Sequence, residues 1–335
     1  MVPGRMADTF RALLAEQVDG TTQVKTVELA ESALNPGEVT IDVAYSSLNY
    51  KDGLALTGRG KILRKWPLIP GIDLAGTVRS STSSKWKRGD AVLVTGNTLG
   101  VSLHGGFCQR ARVKESAVLP IPRGMDARSA MAIGTAGLTA ALCVLALEDH
   151  GTLRSEREFA VTGAAGGVGS IAVALLAARG KKVVASTGRT SEADYLRLLG
   201  ASDVIGRDVL AQKGPPLASE RWGGGVDTVG GQTLVTLISQ VAYRGAVAAC
   251  GLAGGSDFPG TVFPFILRNV ALLGVDSDMT PNEERLRGWG DLSKHLSRLH
   301  LEQVTQVVPL SKLVEFAPRI VDGQVRGRVV VDVHA

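Results

Sequence analysis

Apolar and polar positions follow two rhythms along this chain. As far as residue 125 they come in short runs separated by Gly and Pro. Residues 11–15 read as a strand and residues 21–28 as its hairpin partner. After the turn Asn35-Pro36-Gly37-Glu38, residues 39–45 alternate apolar and polar, the period of a half-buried strand. Further short strands are expected at 69–72, 75–78 and 91–94. Many short strands between turns predict a small barrel-like β domain.

From Asp126 the rhythm changes. Residues 127–147 are dense in Ala, Leu and Met and read as helices. Apolar runs at 159–162, 182–187, 226–229 and 246–250 then alternate with helical segments, and 270–275 reads as one more strand. That alternation predicts a parallel sheet covered on both faces. In the tail, residues 313–322 read as a helix and 329–333 as a strand that rejoins the first domain. The expected class is α/β, with a Rossmann-type doubly wound parallel sheet over residues 126–284. It is inserted in a β domain built from residues 1–125 and 285–335.

Composition narrows the function classes. A chain of 335 residues with 44% hydrophobic positions can fill two cores. Aromatics are only 4% while Gly counts 41, which argues against a base-stacking nucleic-acid binder. The net charge of +5 includes no basic block long enough for a polybasic tail, though a mild excess can steer an anionic ligand. Cys108, Cys143 and Cys250 are odd in number and far apart, so neither a disulfide framework nor a zinc cluster is readable. Reduced thiols fit a cytoplasmic setting. No membrane partner is expected, because no apolar run reads as long enough to span a bilayer. The first ten residues lack the apolar core of a signal peptide. Met6 reads as an alternative start, with residues 1–5 as an extension.

The sharpest chemistry lies at 158–176. An apolar run ends in Gly163-Ala164-Ala165-Gly166-Gly167-Val168-Gly169 and opens straight into an alanine-rich helix. Glycines let the backbone approach an anion, and the free N–H groups of the helix start then hold a pyrophosphate. A tight turn without ligand is the alternative; the strand before and the helix after favour a dinucleotide. The next strand ends at Thr187-Gly188-Arg189-Thr190, with Arg189 twenty residues past Gly169 and no carboxylate before Glu192. An NAD site would carry an acid there for the ribose hydroxyls, whereas a guanidinium pairs with a phosphate. The cofactor is therefore read as NADP(H), held by Ala165, Gly166, Gly167, Val168, Thr187, Gly188 and Arg189, with Arg207 as a second phosphate contact. No zinc is expected, since residues 46–52 and 70–73 contain neither Cys nor His, and His104 with Cys108 lacks partners at ligand spacing.

Four strings together carry a resemblance: Ser47-Leu48-Asn49-Tyr50-Lys51-Asp52, residues 69–78, Gly134-Thr135-Ala136-Gly137 and Ala164-Ala165-Gly166-Gly167-Val168-Gly169. They look like the zinc-free, quinone-oxidoreductase-like branch of the medium-chain dehydrogenase/reductases. Residues 49–65, 141–149, 247–255 and 264–277 closely resemble its NADPH-dependent acryloyl-CoA reductase subgroup. The resemblance implies a GroES-like barrel for the substrate, a Rossmann domain for NADPH, and the cofactor between them. It implies reduction of an enoyl thioester, most concretely acryloyl-CoA to propanoyl-CoA, by hydride addition at the β-carbon and protonation at the α-carbon. Tyr50 matches a cofactor-contacting tyrosine and is the first candidate to orient the nicotinamide or relay the proton; Asn49 and Asp52 are weaker candidates. Leu252 joins the cofactor set. The CoA phosphates call for a cationic rim, for which Arg59, Lys61, Arg64 and Lys65 are candidates, with Arg326 and Arg328 in the returning tail. A homodimer is implied, through the strand near 270–275. The rival readings are a quinone or enone reductase and a non-catalytic nucleotide-binding, crystallin-like protein.

Overall fold

The fold is that of a computed structural model describing residues 9–335, apart from the side chains of residues 298 and 299. The expectations placed on residues 1–8, Met6 as a start among them, lie outside the described residues. The chain runs β1 (Thr9–Val18), β2 (Thr21–Ala30), β3 (Val39–Leu48), α1 (Tyr50–Thr57), β4 (Asp73–Ser81), β5 (Ala91–Thr95), β6 (Arg110–Val113), β7 (Leu119–Pro120) and α2 (Ala127–Asp149). It continues through β8 (Glu158–Thr162), α3 (Gly167–Ala178), β9 (Val183–Thr187), α4 (Ala193–Leu198), β10 (Ala201–Gly206), α5 (Asp208–Ala211), β11 (Trp222–Asp227), α6 (Gly231–Ser239), β12 (Val241–Ala249), α7 (Phe263–Arg268) and β13 (Ala271–Gly274). It ends with α8 (Asn282–His295), α9 (Arg298–Val304), β14 (Thr305–Pro309), α10 (Leu313–Val321) and β15 (Arg328–Asp332). Packing divides it into two units: the chain up to Thr135 together with Thr305–Ala335, and Ala136–Val304.

The first unit is β-rich. β1 and β2 form a hairpin turned by Asp19 and Gly20, both at positive φ (49° and 76°). That is the primed turn that Asp-Gly favours, because its twist matches the flanking strands. A seven-stranded sheet has the order β14-β15-β3-β4-β5-β7, with β6 also on β3. β15 lies antiparallel to β3, so the chain's end closes a sheet that the N-terminal strands began. Val39, Ile41 and Val43 of β3 point into one core with Leu74, Val92, Val94, Val329 and Val331. Helix α10 packs on α1, and a Cβ on Gly53 would stand 2.5 Å from Ile320, which lets the two helices touch closely.

The second unit is a parallel sheet in the order β10-β9-β8-β11-β12-β13. This is the doubly wound order, whose strand sequence reverses between β8 and β11. Ligands bind at the carboxyl ends of strands at such a switch point. The strands β8, β9 and β12 are buried along most of their length, as expected of a sheet covered on both faces.

The structure corrects several expectations. Residues 285–304 pack in the second unit: Arg285, Trp289 and Leu292 of α8 are buried, and α8 and α9 both contact α3. Residues 69–72 are irregular chain whose groups pair with the loop at 104–107. The strand expected at 226–229 is β11, four residues earlier at its start. Its glycines stay in the sheet because Gly224 has no room for a side chain, with Ala246 O 2.6 Å from a Cβ position. The edge strands β6, β7 and β10 were not anticipated, being short or polar. Helix α2 is long and apolar enough to cross a membrane, contrary to the sequence reading. However, most of its apolar residues are buried in the protein, and Gly134 breaks it with non-helical φ/ψ of 53° and −159°.

Candidate cofactor and active sites

In the second unit, β8 delivers the chain to Gly163, which turns at φ 59°. Helix α3 starts at Gly167 behind Gly166, with no side-chain cap. The N–H groups of its first turn have no partner within the helix, the arrangement by which helix starts bind anions in general. Two glycines are required sterically. A Cβ on Gly163 would sit 2.2 Å from Thr228 Oγ1, and one on Gly169 would sit 2.5 Å from Gly163 O. Ala165 is buried in this turn, and Val168 stands in the helix's first turn.

The end of β9 brings the two expected cations to one place. Arg189 N donates to Thr187 Oγ1 (3.1 Å), and its guanidinium reaches Ala165 O of the glycine turn (3.2 Å). Arg207 N donates to Thr187 O (2.8 Å), and its side chain covers Gly188. Two guanidiniums thus flank the end of the second strand, one tied to the turn and one over Gly188. Leu252, in the loop after β12, is 62% exposed, available to a ligand rather than packed in a core.

In the first unit, Asn49 caps α1, and Tyr50 is that helix's first residue with 39% of its surface exposed. Asp52 accepts Asn49 N (2.9 Å) and Ile72 N (3.0 Å), fixing the helix start to the chain before β4. Below lies a buried network that the sequence reading missed. Asp73 accepts Ser47 Oγ (2.6 Å), Asn49 Nδ2 (2.9 Å) and Thr135 N (2.9 Å) on Oδ2, and Thr135 Oγ1 (2.5 Å) on Oδ1. Arg328 donates to Asn49 Oδ1 (3.0 Å), Ser47 Oγ (3.0 Å) and Ala132 O (2.9 Å). Gly134 admits the cluster, since a Cβ there would stand 2.6 Å from both Arg328 Nη2 and Asp73 Oδ2.

Two carboxylates and one guanidinium are buried together, linked through Ser47 and Asn49. Burial, and then the charge of Asp73, pushes the Asp52 carboxyl from 3.8 to about 7. Burial also depresses the Arg328 guanidinium, opposed by the charges of Asp73 and Asp52. Arg328 is therefore corrected: at 2% exposure it is a core ion, not part of a cationic rim. Asn49 is corrected as well, since both ends of its amide serve the network and it positions α1. The network had one signal in the sequence, an aspartate embedded in the apolar string at 69–78.

Arg59, Lys61, Arg64 and Lys65 are exposed on the segment after α1, and Arg59 pairs with Asp322 at 2.5 Å. Arg326 is exposed too. His104 uses Nδ1 to accept Ile69 N (3.0 Å), and burial followed by the Lys65 charge lowers its pKa. Cys108 is a packed thiol raised to about 12 by burial. Among the described residues no group of three or more His, Cys, Asp or Glu converges as metal ligands would.

Residues 35–123 match the family described as alcohol dehydrogenase GroES-like domain, and residues 167–287 the one described as zinc-binding dehydrogenase. The chain is 51% identical to the probable acrylyl-CoA reductase AcuI of Escherichia coli (strain K12), over 97% of this chain and 100% of that one. It is 47% identical to the acrylyl-CoA reductase AcuI of Ruegeria pomeroyi, with 97% and 100% covered. A crystal structure of E. coli K-12 YhdH with bound NADPH superposes with a TM-score of 0.94 at 51% identity, covering 96% of this chain and 99% of that one. Likeness at this level, along nearly the whole of both chains and over both units, places the protein in the medium-chain dehydrogenase/reductase family, in its quinone-oxidoreductase-like branch.

Proposed function

We propose that the protein is an NADPH-dependent 2-enoyl-CoA reductase that converts acryloyl-CoA to propanoyl-CoA. The observation that carries this reading is the nearly full-length identity, 51% and 47%, to chains named acrylyl-CoA reductase. The residues at the end of β9 support the cofactor independently: two guanidiniums stand where an NAD site would carry a carboxylate. Bound NADPH supplies a hydride to the β-carbon of the thioester. The chain's own residues bind, align and move a proton. The α3 N-terminus and the glycine turn hold the pyrophosphate, while Arg189 and Arg207 hold the extra phosphate. Tyr50, exposed at the start of α1, carries the hydroxyl that orients the reacting group or relays the proton to the α-carbon. As charge develops on the thioester oxygen, a donor fixed in place is worth more than a mobile one. The network of Asp73, Asn49 and Arg328 does that fixing by holding α1.

Lys61, Arg64 and Lys65, with Arg59 beside Asp322, offer the positive rim that CoA phosphates need. No zinc step enters the reading, because residues 46–52 and 70–73 supply no Cys or His. We read the protein as cytoplasmic, in keeping with three free cysteines, and as a homodimer. The exposed Ile266 and Leu267 of α7 and Leu272 of the edge strand β13 support a second copy adding along that edge.

The test is an acceptor profile. NADPH consumption is followed with acryloyl-CoA, crotonyl-CoA and a quinone. Fastest turnover at low acryloyl-CoA is the expected outcome. Preference for the quinone would replace the thioester reading, and no consumption with any acceptor would favour a binding protein.

A further inference from the structure

Asp227 ends β11, the strand beside β8 at the point where the sheet order reverses. It is fully buried and belongs to no part of the chemistry above. Its Oδ1 accepts Thr162 Oγ1 (2.7 Å), and Thr162 is the residue immediately before the glycine turn. Its Oδ2 accepts Gly230 N (2.7 Å) in the loop at 228–231. Thr162 binds that loop again, since its hydroxyl accepts Thr228 N (3.0 Å) and its carbonyl accepts Thr228 Oγ1 (2.9 Å).

The loop at 228–231 in turn holds the loop that carries Leu252. Gly254 N donates to Val229 O (2.8 Å), Gly230 bridges Gly255, and Cys250 N donates to Asp227 O (3.0 Å). A Cβ on Gly251 would stand 2.2 Å from Thr228 O, so the two loops touch backbone to backbone. The carboxylate therefore joins the strand end before the glycine turn to 228–231, and the backbone of 227–230 joins 228–231 to 250–255. The glycine turn and these two loops leave the carboxyl ends of β8, β11 and β12, where a doubly wound sheet binds its ligand. A buried acid retains this position only because its acceptor sites are filled. A carboxylate accepts on both oxygens, whereas an amide would present a donor to one of two N–H or O–H groups.

We propose that Asp227 is a positioning residue for the dinucleotide. It sets the glycine turn and the Leu252 loop at the spacing the cofactor needs, without touching the cofactor. Burial raises its carboxyl above the ordinary range, opposed by the bonds from Thr162, Gly230 and Val229.

The inference rests on the reading that this unit binds NADPH, so wild-type affinity is measured first by NADPH fluorescence titration. A wild type that does not bind removes that reading rather than this one. Asp227→Asn and Thr162→Val are then titrated, with thermal unfolding recorded alongside. The expected result is a rise in the NADPH Kd on the order of tenfold for each folded variant, as for loss of one bond to a charged group. The double variant should bind less weakly than the product of the two single effects requires, because the two side chains share one bond while each also holds the loop at 228–231 by another. KM for NADPH should rise while kcat at saturation holds. If Asp227→Asn does not fold, Thr162→Val carries the test alone. Unchanged Kd in a folded variant that merely melts earlier would overturn the proposal and leave Asp227 as a core residue.

Discussion

Arg207 covers Gly188, and the fit leaves no space for a side chain: a Cβ on Gly188 would meet Nε at 2.8 Å and Cζ at 2.9 Å. The backbone is not the reason for glycine there, since Gly188 is not among the positive-φ residues. The reason is the guanidinium.

Gly188→Ala is thus expected to fold normally and to push Arg207 aside, because the far end of an arginine moves cheaply. KM for NADPH should rise roughly tenfold, with little change for NADH, which lacks the extra phosphate. Arg189→Ala should behave alike and add to it. Steady-state kinetics with both nucleotides decides the matter: equal effects on NADPH and NADH would take both arginines out of phosphate recognition.

Arg328 and Arg326 lie two residues apart and should part ways under substitution. Arg328→Leu leaves Asp73 and Asp52 buried without their cation, so stability should fall by about 3 to 5 kcal/mol in urea unfolding. Arg326→Ala, at an exposed position, should stay within about 0.5 kcal/mol. A well-folded Arg328→Leu enzyme with a selective rise in KM for the CoA substrate would restore the rim role that burial denies it.

Asp52 gives a pH prediction whose sign can be worked out. Its carboxyl is raised in the fold from 3.8 to about 7, so the native state binds the extra proton between those values. Stability from this group is complete below the lower value and is lost as pH climbs through the upper one. Urea midpoints across that window should therefore decline less in Asp52→Asn than in the wild type. Parallel curves would show that Asp52 ionises normally.

Much of this architecture could be read from the chain, and the gaps have physical causes. The alternation of residues 39–45 and the apolar runs ending at Thr162 and Thr187 report burial directly, so β3, β8 and β9 were legible. β10 was not, because its edge position leaves Ser202 and Asp203 exposed and erases the apolar signal. The strand expected from residue 226 begins at Trp222, because Gly223, Gly224 and Gly225 carry no apolar signal and their neighbours leave no room for side chains. In the site, Arg189 could be found because its spacing from the glycine turn is local. Arg328 could not be placed, because its partners Ser47 and Asn49 are remote in sequence, and a basic residue in a tail reads as surface. Asp227 was hidden for the same reason, as its meaning comes from Thr162 on another strand.

Tyr50→Phe keeps the ring and removes the hydroxyl at an exposed helix start. If that hydroxyl orients the acceptor or passes the proton, kcat should drop by about 10²-fold or more while KM for NADPH holds. The same variant should unfold at nearly the wild-type temperature. An unchanged kcat would reduce Tyr50 to a packing surface and move the proton donor elsewhere.

The cationic segment after α1 offers the sharpest separation between a CoA thioester and a neutral acceptor. Lys61, Arg64 and Lys65 are exposed, so replacing them by glutamate should not disturb the core. Arg59 is left intact because its bond to Asp322 has a structural share. If these cations meet the phosphates of CoA, KM for acryloyl-CoA should rise several-fold for each reversal. Raised salt should erase most of the wild type's advantage, since exposed charges are screened beyond about 8 Å at physiological ionic strength. A small neutral enone has no phosphate to lose, so its KM should be the same in wild type and variants at every salt concentration. An equal rise for both acceptors would mean that the substitutions disturb the site itself, and no rise for either would leave the segment as a solvated surface.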